Sequence, residues 1–92
     1  MTPSIIQQDE DPDVEILQIG DYIEVYVDLR GRDLKLDRID IKIDKNKIYL
    51  YDVKSNNIIK IIKIRSDIIL SPNILHKEYH YGTLLLRLKK IN

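Results

Sequence analysis

The stretch His76-Lys77-Glu78-Tyr79-His80-Tyr81-Gly82-Thr83-Leu84-Leu85-Leu86-Arg87-Leu88-Lys89-Lys90 decides the fold. Its second half alternates. Leu84, Leu86 and Leu88 share one side, and Thr83, Leu85, Arg87 and Lys89 share the other. Side chains in an extended chain repeat every two residues, so this is a strand with one buried face. Gly82 precedes it and is the expected turn or bulge residue, because glycine alone takes positive φ freely. A closing leucine strand needs a partner surface, and the upstream sequence supplies strands for it.

Outward from that strand, the cleanest alternation is Tyr22 to Leu29, with Ile23, Val25, Val27 and Leu29 inward and Glu24, Tyr26 and Asp28 outward. Val14 to Ile19 reads as a strand before it, joined through Gly20-Asp21, a hairpin signal. After the break at Arg30-Gly31-Arg32-Asp33, Leu34 to Arg38 is either a helical turn or an extended connector. Ile39, Ile41 and Ile43 then alternate with Asp40, Lys42 and Asp44. Ile48 to Val53 forms the next strand, bounded by turns at Lys45-Asn46-Lys47 and Lys54-Ser55-Asn56-Asn57, where asparagine tolerates the left-handed region. Ile58 to Ile64 is dense in isoleucine, a β-branched residue that favours strands, and reads as a strand buried on both faces. Asp67 to Leu70 is a short apolar segment stopped by Ser71-Pro72-Asn73. Short strands with turns about every ten residues predict an all-β fold: an antiparallel, immunoglobulin-like β-sandwich of about 7–8 strands.

At 92 residues the chain is long enough for one domain with a core, but not for a core and a deep cleft. The sandwich is expected over 14–92. Residues 1–13, with Pro3, Pro12 and the acidic run Asp9-Glu10-Asp11, read as a flexible N-terminal arm. Its one sticky patch, Ser4-Ile5-Ile6-Gln7, is either a frayed tail or a short strand added to a sheet edge. Charged residues make up 33% of the chain but sum to zero, which speaks against a nucleic-acid partner. Cysteine is absent, so disulfides and thiolate metal sites are excluded. No apolar run approaches a membrane span and the N-terminus lacks a signal-peptide pattern, so no membrane partner and a cytoplasmic location are expected.

Few residues point to chemistry. His76, Glu78 and His80 lie two apart on a predicted strand and so face one side. Two imidazoles and a carboxylate are a weak candidate metal site, with no fourth ligand evident. There is no Ser/His/Asp spacing, glycine-rich phosphate loop or Walker-type lysine, so neither an enzyme nor a cofactor is expected. The six tyrosines read as half-buried strand residues rather than a base-stacking surface.

The order of the pieces resembles the small heat-shock protein (α-crystallin) family. Val25-Tyr26-Val27-Asp28-Leu29-Arg30-Gly31 is similar to that family's Val-x-Val-Asp-Leu-Pro-Gly segment. Arg38 to Ile43 is similar to its acidic-Ile-x-Val-x-Val strand, and Asn46-Lys47-Ile48-Tyr49-Leu50 to its Asn-x-Leu-x-Ile strand. Leu70 to Tyr79 is similar to Val-Asp-Pro-Asp-x-Ile-x-Ala-x-Tyr. Gly82-Thr83-Leu84 through Lys90 is similar to the signature Gly-Val-Leu-x-x-x-Leu-Pro-Lys, with Gly82 and Leu84 at its turn. Arg30 and Lys89 stand where the family has proline, and Lys77 where it has alanine. The short turn after Val53 leaves out the long exchanged loop of many prokaryotic members, and the sequence carries no Ile-x-Ile tail after Lys90. The resemblance implies a stripped α-crystallin-type domain, close in shape to the CS-domain co-chaperones.

That likeness implies an ATP-independent, holdase-type chaperone domain of the stress response that binds exposed hydrophobic segments of unfolded or partly folded proteins. The implied groove lies between the Ile39–Ile43 strand and the Leu75–Tyr79 segment, lined by Ile39, Ile41, Ile43, Leu75 and Tyr79. The alternative is a non-chaperone adaptor that docks one specific protein with the same sandwich. A monomer or small homo-oligomer such as a dimer is expected, rather than a large shell.

Overall fold

The alternating segments form eight strands, and the computed structural model describes residues 2–10 and 12–92. They are β1 (Ser4–Asp9), β2 (Val14–Ile19), β3 (Tyr22–Asp28), β4 (Ile39–Asp44), β5 (Lys47–Asp52), β6 (Asn57–Lys63), β7 (His76–His80) and β8 (Thr83–Lys89). A 3-10 turn, Leu36–Arg38, resolves the ambiguous connector in favour of a helical turn. Two antiparallel sheets result, one ordered β1-β2-β3-β8-β7 and the other β4-β5-β6. This is the antiparallel β-sandwich that the alternation predicts.

Register follows the hydrophobic pattern. Val25 pairs with both Ile16 and Leu86, and Val27 with Val14 and Leu84, so each inward row is continuous across β2, β3 and β8. Ile23, Val25, Val27, Leu84, Leu86 and Leu88 are completely buried. Ile48 and Leu50 of the second sheet close the core from the other side. A one-residue slip of β8 would place all three inward leucines in water, so register and burial enforce each other. Burying a leucine side chain contributes roughly 1.5–3 kcal/mol, which makes β8 a principal source of stability.

The turns are built by local φ preferences. Gly20 at φ 59° turns β2 into β3, Lys45 at φ 56° turns β4 into β5, and Asn56 at φ 58° turns β5 into β6. Between β7 and β8 the closing pair His80–Thr83 leaves Tyr81 at φ 51° and Gly82 at φ 81°. Both central residues are positive, as a type I′ hairpin requires.

Two expectations need correction. The flexible arm expected over residues 1–13 is, over Ser4–Asp9, an edge strand paired with β2, so the boundary at residue 14 falls within a hairpin. Met1 and Asp11 of that arm lie outside the described residues. The physical reason is a bulge: register shifts between Ile5 and Gln7, turning Ile6 onto the core while Ile5 stays exposed. The second correction concerns β6, which is an edge strand with one exposed side and not a strand buried on both faces. Ile62 is buried, but Ile58 and Ile61 are 52% and 39% exposed. A three-stranded sheet has only one central strand, and that place belongs to β5.

Candidate functional site

A sandwich of two open sheets has two flanks, and they are finished differently. On one flank β1 meets β6 through side chains. The Gln7 amide donates to the Lys63 carbonyl (2.7 Å) and accepts from the Arg65 N–H (2.8 Å). Lys60 reaches the Asp9 carboxylate at 2.7 Å and the Glu10 carbonyl at 3.2 Å. A carboxamide has the donor and acceptor of a peptide group, so Gln7 fills edge positions as another strand would.

The opposite flank ends in β7 on the larger sheet and β4 on the smaller, and no ladder pairs either strand further among the described residues. The residues expected to line a groove lie on β4, on β7 and just before β7. Ile39 is 3% exposed and belongs to the core, so it offers no surface. Ile41 and Ile43 are half-buried and pack on the core from one side. Tyr79 is half-buried on β7 and points to the same side of its sheet as Leu84. Leu75, just before β7, is 50% exposed, with Ile74 partly buried beside it. The apolar residues of that expectation that keep some exposure at these two edges are Ile41 and Ile43 on β4, and Leu75 and Tyr79 at β7. Gly82 sits at the hairpin that starts β8, where its carbonyl accepts the Leu29 N–H at 2.7 Å, and Leu84 is core.

His76, Glu78 and His80 do share a side, the outer face of the larger sheet. They are joined to each other. Glu78 takes His76 Nε2 at 2.5 Å and lies 3.6 Å from His80 Nε2. The His76 hydrogen bond holds the Glu78 carboxyl below the usual carboxylate range, against some desolvation. The two histidines flank the carboxylate from opposite ends along the strand, a span of about 13 Å between i and i+4 positions. Such a row binds a carboxylate rather than converging on one ion, and among the described residues no group of three His, Cys, Asp or Glu is placed to hold a metal.

Two polar features have no signature in the sequence. Glu24, on the outward side of β3, is only 7% exposed. Its partner is Arg87, directly opposite on β8, which gives it two hydrogen bonds of 2.7 and 3.1 Å. Leu17 flanks it on β2 and the Tyr26 hydroxyl approaches to 3.4 Å. Only the β3–β8 register reveals the pair, because the two residues are far apart in sequence. The second feature is a hollow of about 460 Å³ at the β1–β2 end, walled by Asp9, Glu10, Asp13, Glu15, Tyr26 and Asp28 among others. Two of its carboxylates are already engaged, Asp9 with Lys60 and Asp28 with Arg30.

Among the described residues no helix is long and apolar enough to cross a membrane. Compared with known proteins, the chain matches no family model and no curated protein.

Proposed function

We propose that this domain is an ATP-independent, chaperone-like binder of exposed hydrophobic segments, and that the β4/β7 flank is where it takes them. The observation that supports this reading is the contrast between the flanks: one is stitched shut by Gln7 and Lys60, while the other leaves two edge strands beside a half-buried apolar rim. An unpaired edge supplies backbone hydrogen bonds to an extended peptide, and alternate side chains of that peptide find apolar contacts. Ile41, Ile43 and Tyr79 would form the floor and Leu75 the lip. Binding an unfolded chain lowers the free concentration of aggregating species by mass action and needs no nucleotide. The resemblance to small heat-shock proteins points the same way and adds the expectation of a cytoplasmic stress role.

The test is aggregation of a heat-unfolded client followed by light scattering at equimolar ratio. The protein should suppress it, and Leu75→Asp should abolish suppression, since Leu75 is 50% exposed and its replacement leaves the core intact. Absence of suppression by the unaltered protein refutes the reading. Tight, stoichiometric binding of one folded protein without any effect on generic clients would establish the adaptor instead.

A further inference from the structure

The zero net charge is the balance of two opposed halves. Residues 1–41 carry eleven acidic and four basic side chains, and residues 42–92 carry four acidic and eleven basic. The excess concentrates in residues 42–65, with seven basic side chains against two acidic. Pairing in the smaller sheet aligns Lys42 with Tyr49 and Ile61, Tyr51 with Asp40 and Ile58, and Lys47 with Asp44 and Lys63. These rows alternate with the core-facing rows that contain Ile48 and Leu50, so they form the sheet's outer face.

That face is not an ordinary solvated surface. Tyr49 and Tyr51 stand two apart on the central strand with ring centroids 6.4 Å apart and planes 19° from parallel. The Lys42 ammonium lies over the Tyr51 ring, 5.4 Å from its centroid. Ile58 and Ile61 extend the apolar surface to the β6 edge. Beside Tyr51 is a depression of about 290 Å³ bordered by Asp40, Lys42, Val53 and Asn56. It joins an aromatic wall to a cation and to the donors and acceptors of an amide and a carboxylate.

We infer that the outer face of the β4-β5-β6 sheet binds single-stranded nucleic acid. Bases stack on Tyr51 and Tyr49, with Asn56 and Asp40 at the edge of the base beside Tyr51, and the backbone phosphates lie against Lys42, Lys47 and Lys63. Aromatic rings on a sheet bordered by cations are the general means of holding an unpaired strand, because every base has a face to stack and every nucleotide a charge to neutralise. On the face itself Lys42, Lys47 and Lys63 outnumber Asp40 and Asp44, so a polyanion gains there while a second copy seated face to face would oppose one lysine excess to another. The site is on the outer face of one sheet, separate from the β4/β7 flank, so it stands or falls independently of the chaperone reading.

The experiment is fluorescence anisotropy of a labelled 20-nucleotide oligothymidylate titrated with the full chain at several salt concentrations, with tyrosine emission read in parallel. Three phosphate contacts give a log–log salt slope of about −2. Tyrosine emission should fall on binding, Tyr51→Thr should weaken binding roughly 5- to 100-fold, and Lys63→Gln should flatten the slope by about 0.7. Leu75→Asp should leave binding unchanged. The Lys63→Gln slope and the tyrosine quenching keep the test valid even if Tyr51→Thr melts early. The inference is overturned by no binding at low salt, by equal competition from polyglutamate or duplex DNA, or by unchanged affinity in a folded Tyr51→Thr. It is also overturned if the chain self-associates on light scattering and Tyr51→Thr alone returns it to monomer, for then the face is a self-interface.

Discussion

The β7–β8 hairpin places two adjacent residues in the same left-handed region, and replacing them should move stability in opposite directions. Tyr81 has φ 51° and is 97% exposed, so its ring contributes no packing. A side chain other than asparagine, aspartate or glycine in this region costs about 1–2 kcal/mol. Asparagine relieves most of that cost and is the preferred first residue of a type I′ turn. Tyr81→Asn should therefore stabilise the domain by about 0.5–1 kcal/mol, which for a chain of this size raises Tm by roughly 2–8 °C. Gly82 is the reverse case. A Cβ added there would lie 2.7 Å from Arg30 Cγ and 3.1 Å from Arg30 Cα, with φ at 81°. The Arg30 side chain can swing away, but its backbone is held by the hydrogen bond from Leu29 N–H to the Gly82 carbonyl. Gly82→Ala should cost about 2 kcal/mol, from backbone strain and the displacement together. Urea unfolding with an unchanged m-value is the assay, read as the shift in midpoint. A Tyr81→Asn protein no more stable than the parent would refute the assignment of strain to Tyr81. A neutral Gly82→Ala would refute the close approach of Arg30.

Three further outcomes follow from other contacts. Arg87→Ala strips the nearly buried Glu24 of both its strong hydrogen bonds and should cost about 2–4 kcal/mol, whereas the double replacement Glu24→Leu/Arg87→Leu should regain most of it in chemical denaturation. Gln7→Ala leaves the Lys63 carbonyl and Arg65 N–H without their amide partner; the loss should be about 1 kcal/mol, with faster hydrogen exchange at Arg65 read by NMR. Acid should weaken the fold. The Glu78 carboxyl is held low by His76, and the Asp28 carboxyl by the Arg30 side chain and then its backbone N–H. Carboxyls whose folded pKa is depressed contribute stability that is complete above their unfolded values, about 4, and is lost as pH falls through the folded ones. Melting temperatures from pH 6 to 2.5 should fall across that window, and Glu78→Gln should make the fall shallower.

The core was legible because its signal is local. Ile23 to Leu29 and Leu84 to Leu88 alternate without interruption, and each alternation stands for one buried face. Turn chemistry was legible for the same reason at Gly20, Asn56 and Gly82, where backbone conformation selects the residue. What was not legible depends on which strands become neighbours. Ile58 to Ile64 looks like a core strand on composition, yet its place at a sheet edge exposes Ile58 and Ile61. Ser4 to Gln7 reads in sequence as either a frayed tail or a short edge strand, and the choice rests on a single bulge at Ile6 and the Gln7 amide that anchors the strand. Glu24 counts as a solvated residue until register brings Arg87 over it. The resemblance names Ile39 as lining a groove, but its withdrawal into the core required the packing. The opposed charges of the two halves are plain in the sequence, yet only folding puts Lys42, Lys47 and Lys63 on one face with Tyr49 and Tyr51.

The Gln7 amide across the β1–β6 flank also sets how many neighbours a molecule can recruit through its edges. Growth of a β-fibre needs each unit to offer an unpaired edge on both sides. Among the described residues β1 and β6 engage each other on one side, so the edges left for strand addition, β7 and β4, both lie on the opposite flank. Whatever pairs there, a peptide or another copy, finds no matching edge on the far side to carry the stack onward. A unit open on one flank caps a growing stack, so a concentrated solution of it should form small assemblies instead of filaments.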